Sequence, residues 1–183
     1  MKKISFLLVL LMMLSVTVVG AEFSAGEIIN GYFTEEILDN QEGNPNQWYI
    51  WQAGTYGISG AALAEYGVTE ENEFKMVIAD IGTDFWHLQF NQHAALDAGE
   101  YEFTFKARAE ESRDLSLGVL DEATEDRLAE GFFDLEDQMK EFSLDIEIDE
   151  DYPEVKFTFE AGQISDNSIP TSIYIDQVQL IKK

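Results

Sequence analysis

From Phe74 onward the chain alternates apolar and polar residues with a period of two, in segment after segment. Phe74, Met76 and Ile78 form one such set, and Trp86, Leu88 and Phe90 form another against His87, Gln89 and Asn91. Tyr101, Phe103, Phe105 and Ala107 alternate with Glu102, Thr104, Lys106 and Arg108; Leu115, Leu117 and Val119 follow. Phe142, Leu144, Ile146 and Ile148 come next, and then Val155, Phe157, Phe159 and Ala161. Period two is the mark of a strand with one face buried. Turn-forming clusters separate the runs at Gly82-Thr83-Asp84, Asp97-Ala98-Gly99, Glu110 to Asp114, Asp149 to Pro153 and Ser165 to Pro170. Strands at this spacing without helices between them predict an all-β sandwich or barrel of antiparallel sheets. A first strand is expected near Ile28 to Phe33, followed by a long loop to Trp48. The segment from Asp121 to Glu130 reads as either a short helix or a long loop.

The last run breaks its own rule. Ile173 and Ile175 are apolar at odd positions, Val178 and Leu180 at even ones. A regular strand cannot put all four on one face. One extra residue near Asp176 and Gln177, a β-bulge, restores the register and re-aims Asp176.

The N-terminus changes the picture differently. Lys2 and Lys3 precede an almost wholly apolar run from Ile4 to Val19, and Val19-Gly20-Ala21 closes it with small residues. This pattern reads as a secretory signal peptide over residues 1–21, with an uncleaved anchor as the alternative. The expected product is one domain over residues 22–183, secreted or periplasmic, with no membrane insertion after cleavage. About 160 residues are enough for a real core. There is no cysteine in the chain, so disulfides, thiolate metal sites and cysteine nucleophiles are excluded.

The formal charge is −25, and loss of the two leader lysines makes it −27. Such a surface repels nucleic acid and anionic lipid, which leaves a neutral ligand or a cation as the expected partner. Asp and Glu are spread along the whole chain, so adaptation to salt accounts for the acidity equally well.

Several motifs occur together in a telling order. Asn30-Gly31-Tyr32-Phe33 opens the chain after its leader, and Ile81 to Phe90 reads IGTDFWHLQF. Leu96 to Ala109 reads LDAGEYEFTFKARA, and Ile173 to Leu180 reads IYIDQVQL. In this order the motifs resemble the carbohydrate-binding modules of the family 4/9 group. The resemblance implies a galactose-binding-like jelly-roll β-sandwich of two antiparallel sheets that holds oligosaccharide or polysaccharide in a groove on one sheet. It implies a structural role for Trp48, a groove-facing Gln89 and a sugar-stacking Trp86. It also implies a structural calcium near Asp176, although Thr34 stands where the family often carries a carboxylate.

Sugar recognition has a simple physical logic. A pyranose shows an apolar face to flat aromatic rings and a rim of hydroxyls to amides and charged groups. His87, Gln89 and Asn91 share the non-core face of their strand. Tyr49 and Trp51 share the parity opposite to Trp48 and Ile50, so they point outward, with Tyr56 and Tyr66 as candidates to cover them. Trp86 has two readings: parity places it in the core, the resemblance at the groove. Phe132 and Phe133 are adjacent, so in a strand one of them faces outward. The candidate carbohydrate-binding set is therefore Tyr49, Trp51, Trp86, His87, Gln89, Asn91 and Phe132, with Asp176 as the candidate metal ligand. Neither His87 nor His93 sits in a nucleophile or metal motif, and the expectation is binding without catalysis. The rival reading is a secreted structural or protein-interaction module of the same fold that binds no sugar.

Overall fold

The computed structural model describes residues 26–35, 37–39, 47–58, 60 and 62–183. The expected signal peptide lies outside the described residues. Eleven strands and two single 3-10 turns make up the described regular structure, and none of it is α-helix. The strands are β1 (Leu38–Asp39), β2 (Tyr49–Gln52), β3 (Leu63–Val68), β4 (Phe74–Asp80), β5 (Leu88–Leu96) and β6 (Gly99–Ala109). They continue with β7 (Arg113–Asp121), β8 (Arg127–Leu135), β9 (Lys140–Ile148), β10 (Tyr152–Glu160) and β11 (Ser172–Lys182).

They form two sheets, ordered β1-β2-β5-β10-β7-β8 and β3-β4-β11-β6-β9. All pairings are antiparallel except the two-residue edge of β1 on β2. The apolar faces meet in one core, as alternation requires. Tyr101, Phe103, Phe105, Leu115, Leu117, Phe157, Phe159 and Ile175 are all buried there, and Phe142 and Leu144 pack against them half-buried. Aromatic rings bridge the two layers: Phe74 from one sheet stacks on Phe90 from the other at 3.7 Å and 3°. Trp48 is fully buried and stacks on Phe90 at 4.4 Å, which agrees with its reading as a core residue.

The bulge in β11 is present. Asp176 pairs with Lys106 and Gln179 with Thr104, so Gln177 and Val178 oppose the single residue Phe105. Gln177 takes up the extra length in the left-handed region, at φ 51°. The result puts Ile173, Ile175 and Val178 in the same core.

Three local expectations are corrected. Residues 28–33 form turns instead of a first strand, because Asn30 (φ 54°) and Phe33 (φ 49°) leave the extended region. This segment is tied down by Gln92, whose side chain accepts from the Ile29 N–H and donates to the Ile29 carbonyl. The Asp121–Glu130 segment is neither helix nor long loop: a tight turn, braced by Asp121 accepting from the Ala123 N–H and the Thr124 hydroxyl, leads into β8. Finally, Phe85–His87 is a 3-10 turn, so period two begins only at Leu88.

Candidate ligand-binding cleft

The outer face of the six-stranded sheet carries side chains in register across its strands. One row runs Trp51, Gln89, Glu160, Ser116, Phe132 over β2, β5, β10, β7 and β8. The next runs Tyr49, Asn91, Thr158, Gly118, Glu130, and a third runs His93, Lys156, Leu120, Arg127. A cleft of about 650 Å³ lies over these rows. Tyr49, Trp51, Phe85 and Trp86 supply its aromatic walls, Gln89 and Asn91 its amides, and Glu122, Glu125, Arg127, Lys156 and Glu160 its charges.

The walls are a cluster of flat rings. Trp51 stacks on Tyr56 at 5.5 Å and 15°, and Trp86 lies 5.7 Å from Trp51 at 39°. Trp86 reaches this place because its backbone belongs to the 3-10 turn, not to the strand. Strand parity therefore does not apply to it, and the ring sits half-buried at the cleft.

The base of the cleft is polar and mostly committed. His93 sits between two partners, with Nδ1 2.8 Å from Glu154 Oε1 and Nε2 2.8 Å from the Tyr49 hydroxyl. Burial holds the His93 pKa below its ordinary value, against the opposing pull of Glu154. Burial also raises the Tyr49 phenol, and the carboxylates of Glu122 and Glu154 push in the same direction. Glu160 is fully buried and accepts from Arg127 Nη2 at 2.7 and 3.0 Å and from the Ser116 hydroxyl at 3.1 Å. Lys156 pairs with Glu122 at 3.4 Å. Asn91 is an exception: it is buried, and among the described residues neither its Nδ2 nor its Oδ1 has a hydrogen-bond partner; the same holds for the Thr158 hydroxyl across the ladder and for Glu122 Oε2, whose contact with Lys156 is an ion pair. Unused polar capacity of this kind calls for an explanation in any folded protein.

Five of the residues singled out from the sequence thus meet at the cleft: Tyr49, Trp51, Trp86, Gln89 and Asn91. His87 does not. Its ring is buried against Trp86 edge-to-face at 4.4 Å, and its Nδ1 accepts from the Thr83 N–H at 3.2 Å. The 3-10 turn again explains this, since alternation counted back from Gln89 fails at residue 87. Phe132 faces out on the Trp51 row, 64% exposed, but does not line the cleft. Tyr56 covers Trp51, as expected, whereas Tyr66 belongs to β3 on the other sheet.

Asp176 lies on the other sheet, at the bulge of β11. Its carboxylate accepts from the Gln177 N–H at 2.7 Å and from Gln177 Nε2 at 3.2 Å. Among the described residues no three His, Cys, Asp or Glu side chains gather to hold an ion, so calcium there would draw largely on backbone and amide carbonyl oxygens.

Reading the sequence missed Arg127, Glu160, Thr158, Lys156 and Phe85. The polar parity of Lys156, Thr158 and Glu160 along β10 was visible, and only the pairing of β10 with β5 makes it part of the cleft. Arg127 stands out in sequence as a lone cation in an acidic stretch.

A two-sheet antiparallel sandwich with rings and amides in a cleft across one outer face is the build of a carbohydrate-binding module. Residues 26–172 match the family 4/9 carbohydrate binding domain, and the chain belongs to that family. A solved CBM4 structure is similar at a TM-score of 0.77 and 35% identity, over 85% of this chain and 99% of that one. The N-terminal cellulose-binding domain of β-1,4-glucanase C from Cellulomonas fimi shares the fold, at a TM-score of 0.53 and 12% identity over 76% and 91% of the two chains. No curated protein matches the chain. The fold is the jelly roll that the motifs implied, and carbohydrate binding is its function. Among the described residues no helix is long and apolar enough to cross a membrane.

Proposed function

We propose that the cleft over β2, β5 and β10 holds a neutral oligosaccharide or a segment of polysaccharide, without catalysis, outside the cytoplasm. Trp51 and Trp86 offer the flat apolar platform for a pyranose face. Gln89 and the Tyr49 hydroxyl offer hydrogen-bonding groups beside it. The observation that carries the reading is Asn91, an amide with donor and acceptor both unpaired among the described residues, at the base of a cleft walled by tryptophans. A buried amide left unpaired costs about 1–3 kcal/mol, and a hydroxyl-rich ligand is the partner that would offset it.

Support for binding alone comes from how the carboxylates are engaged. Hydrolysis of a glycosidic bond calls for two carboxyl groups flanking it, one of them able to give up a proton. Of the three carboxylates lining the cleft, Glu160 is tied to Arg127 and Ser116 and Glu122 forms an ion pair with Lys156 at 3.4 Å, which leaves Glu125, at the exposed turn, without an opposed second carboxylate. The leader-like residues 1–21 support export. The test is affinity electrophoresis through gels containing soluble neutral glycans, followed by titration calorimetry with any that retard the protein. Retardation that persists at high salt is expected, since stacking and hydroxyl pairing are not ionic. A protein that no glycan retards would sink this reading.

A further inference from the structure

On the ladder alone, one ligand could run along the whole row from Trp51 to Phe132, a span of roughly 19 Å over four strand spacings. The side chains interrupt it. Arg127 starts two rows over, opposite Leu120 on β7, and its guanidinium reaches past Gly118 to the buried Glu160 on β10 at 2.7 and 3.0 Å. Its other nitrogen, Nη1, lies 2.8 Å from Glu130. Gly118 makes the crossing possible, because a Cβ there would stand 2.5 Å from Nη1. The Phe85 ring lies 5.0 Å from the guanidinium carbon. Phe85, Glu160 and Arg127 bound the cleft, whereas Ser116 and Phe132, the next two positions of the row, do not line it.

We propose that Arg127, pinned by Glu160 and Glu130, is a specificity-determining bar that ends the glycan site on the Trp51 row between Glu160 and Ser116, although the cleft itself reaches Leu120 of β7 two rows away, and leaves Phe132 outside it. The inference rests on the reading of the cleft as the glycan site. Glu160 is fully buried, and withdrawing the guanidinium would strand its charge away from water, which is far more costly than opening a surface pair. The bar therefore stays in place when a ligand binds. The site recognises a short stretch of neutral sugar, and a longer chain gains nothing along the row toward Phe132.

Calorimetric titration with ladders of neutral gluco-, xylo- and manno-oligosaccharides tests this. The proteins are wild type, Phe132→Ala, the double variant Arg127→Ala/Glu160→Gln, and that double variant with Phe132→Ala added. Phe132→Ala should leave wild-type affinity unchanged at every length. In the double variant the longer oligosaccharides should bind more tightly than to wild type. Adding Phe132→Ala should then weaken them by roughly two- to tenfold, the worth of one aromatic contact. If Phe132→Ala weakens wild-type binding, or if a folded double variant gains nothing for longer chains, the bar is overturned. Should the double variant fail to fold, Phe132→Ala in wild type decides alone, because the exposed ring is no part of the core. Wild type that binds no member of any ladder would overturn the glycan reading of the cleft, and this inference with it.

Discussion

Trp48 and Trp51 lie three residues apart, and the fold sends them to opposite sides of one sheet. Trp48 is fully buried, stacked on Phe90 at 4.4 Å and within 6.0 and 6.1 Å of Phe33 and Phe159. Its replacement by Ala empties the centre of the core and should cost about 3–5 kcal/mol. At roughly 2–4 °C per kcal/mol for a chain of this size, the Tm should fall by roughly 6–20 °C. Trp51 touches rings on the outer face only, Tyr56 at 5.5 Å and Trp86 at 5.7 Å. Trp51→Ala gives up these contacts, worth about 1–2 kcal/mol together, and the Tm should fall by roughly 2–8 °C. Its effect on binding should be the larger one relative to wild type. Losing a sugar-stacking ring worth about 1–2 kcal/mol weakens affinity about tenfold. Scanning calorimetry gives the first quantity, and titration with the best glycan of the panel gives the second. If Trp51→Ala melts as low as Trp48→Ala, the ring is structural. If it melts near wild type and binds every glycan unchanged, the cleft is not the site.

Asn91→Leu removes an unpaired buried amide, so it should leave stability unchanged or raise it by about 1 kcal/mol while weakening glycan binding; a clear loss of stability with full binding would make Asn91 structural. His93 has its pKa lowered by burial, so on acidification the unfolded chain takes up the proton first. The stability this contributes is full above about pH 6.5 and is lost as the pH falls below it. Wild-type Tm should therefore drop more steeply on acidification than that of His93→Gln, and parallel curves would refute the shift. Asp176 accepts from Gln177, and among the described residues no cluster of carboxylates gathers beside it, so melting curves with and without a chelator should overlay. A chelator-sensitive Tm that Asp176→Ala abolishes would restore the calcium site.

Much of the sandwich was legible in the order of residues alone. Alternation is a local property of a pleated chain, so Tyr101, Phe103 and Phe105 and Val155, Phe157 and Phe159 announce their buried faces without reference to any partner. The same arithmetic places Tyr49 and Trp51 outward and locates the bulge at Asp176 and Gln177, because a change of parity in a strand has few other remedies. Where the local backbone leaves the strand, the arithmetic ends: the 3-10 turn at Phe85–His87 frees Trp86 for the cleft and buries His87. Strand pairing lies beyond local pattern altogether. That β10 lies between β5 and β7, so that Glu160 stands beside Gln89 and Arg127 can close over Gly118, follows from burying both apolar faces at once while pairing the ladders. Nothing near Arg127 in the chain says which carboxylate it will meet, since the partner comes from another strand. The sequence by itself determined the class of fold and the faces of most strands. Only the tertiary structure decided which outward side chains share a cleft, and where that cleft stops.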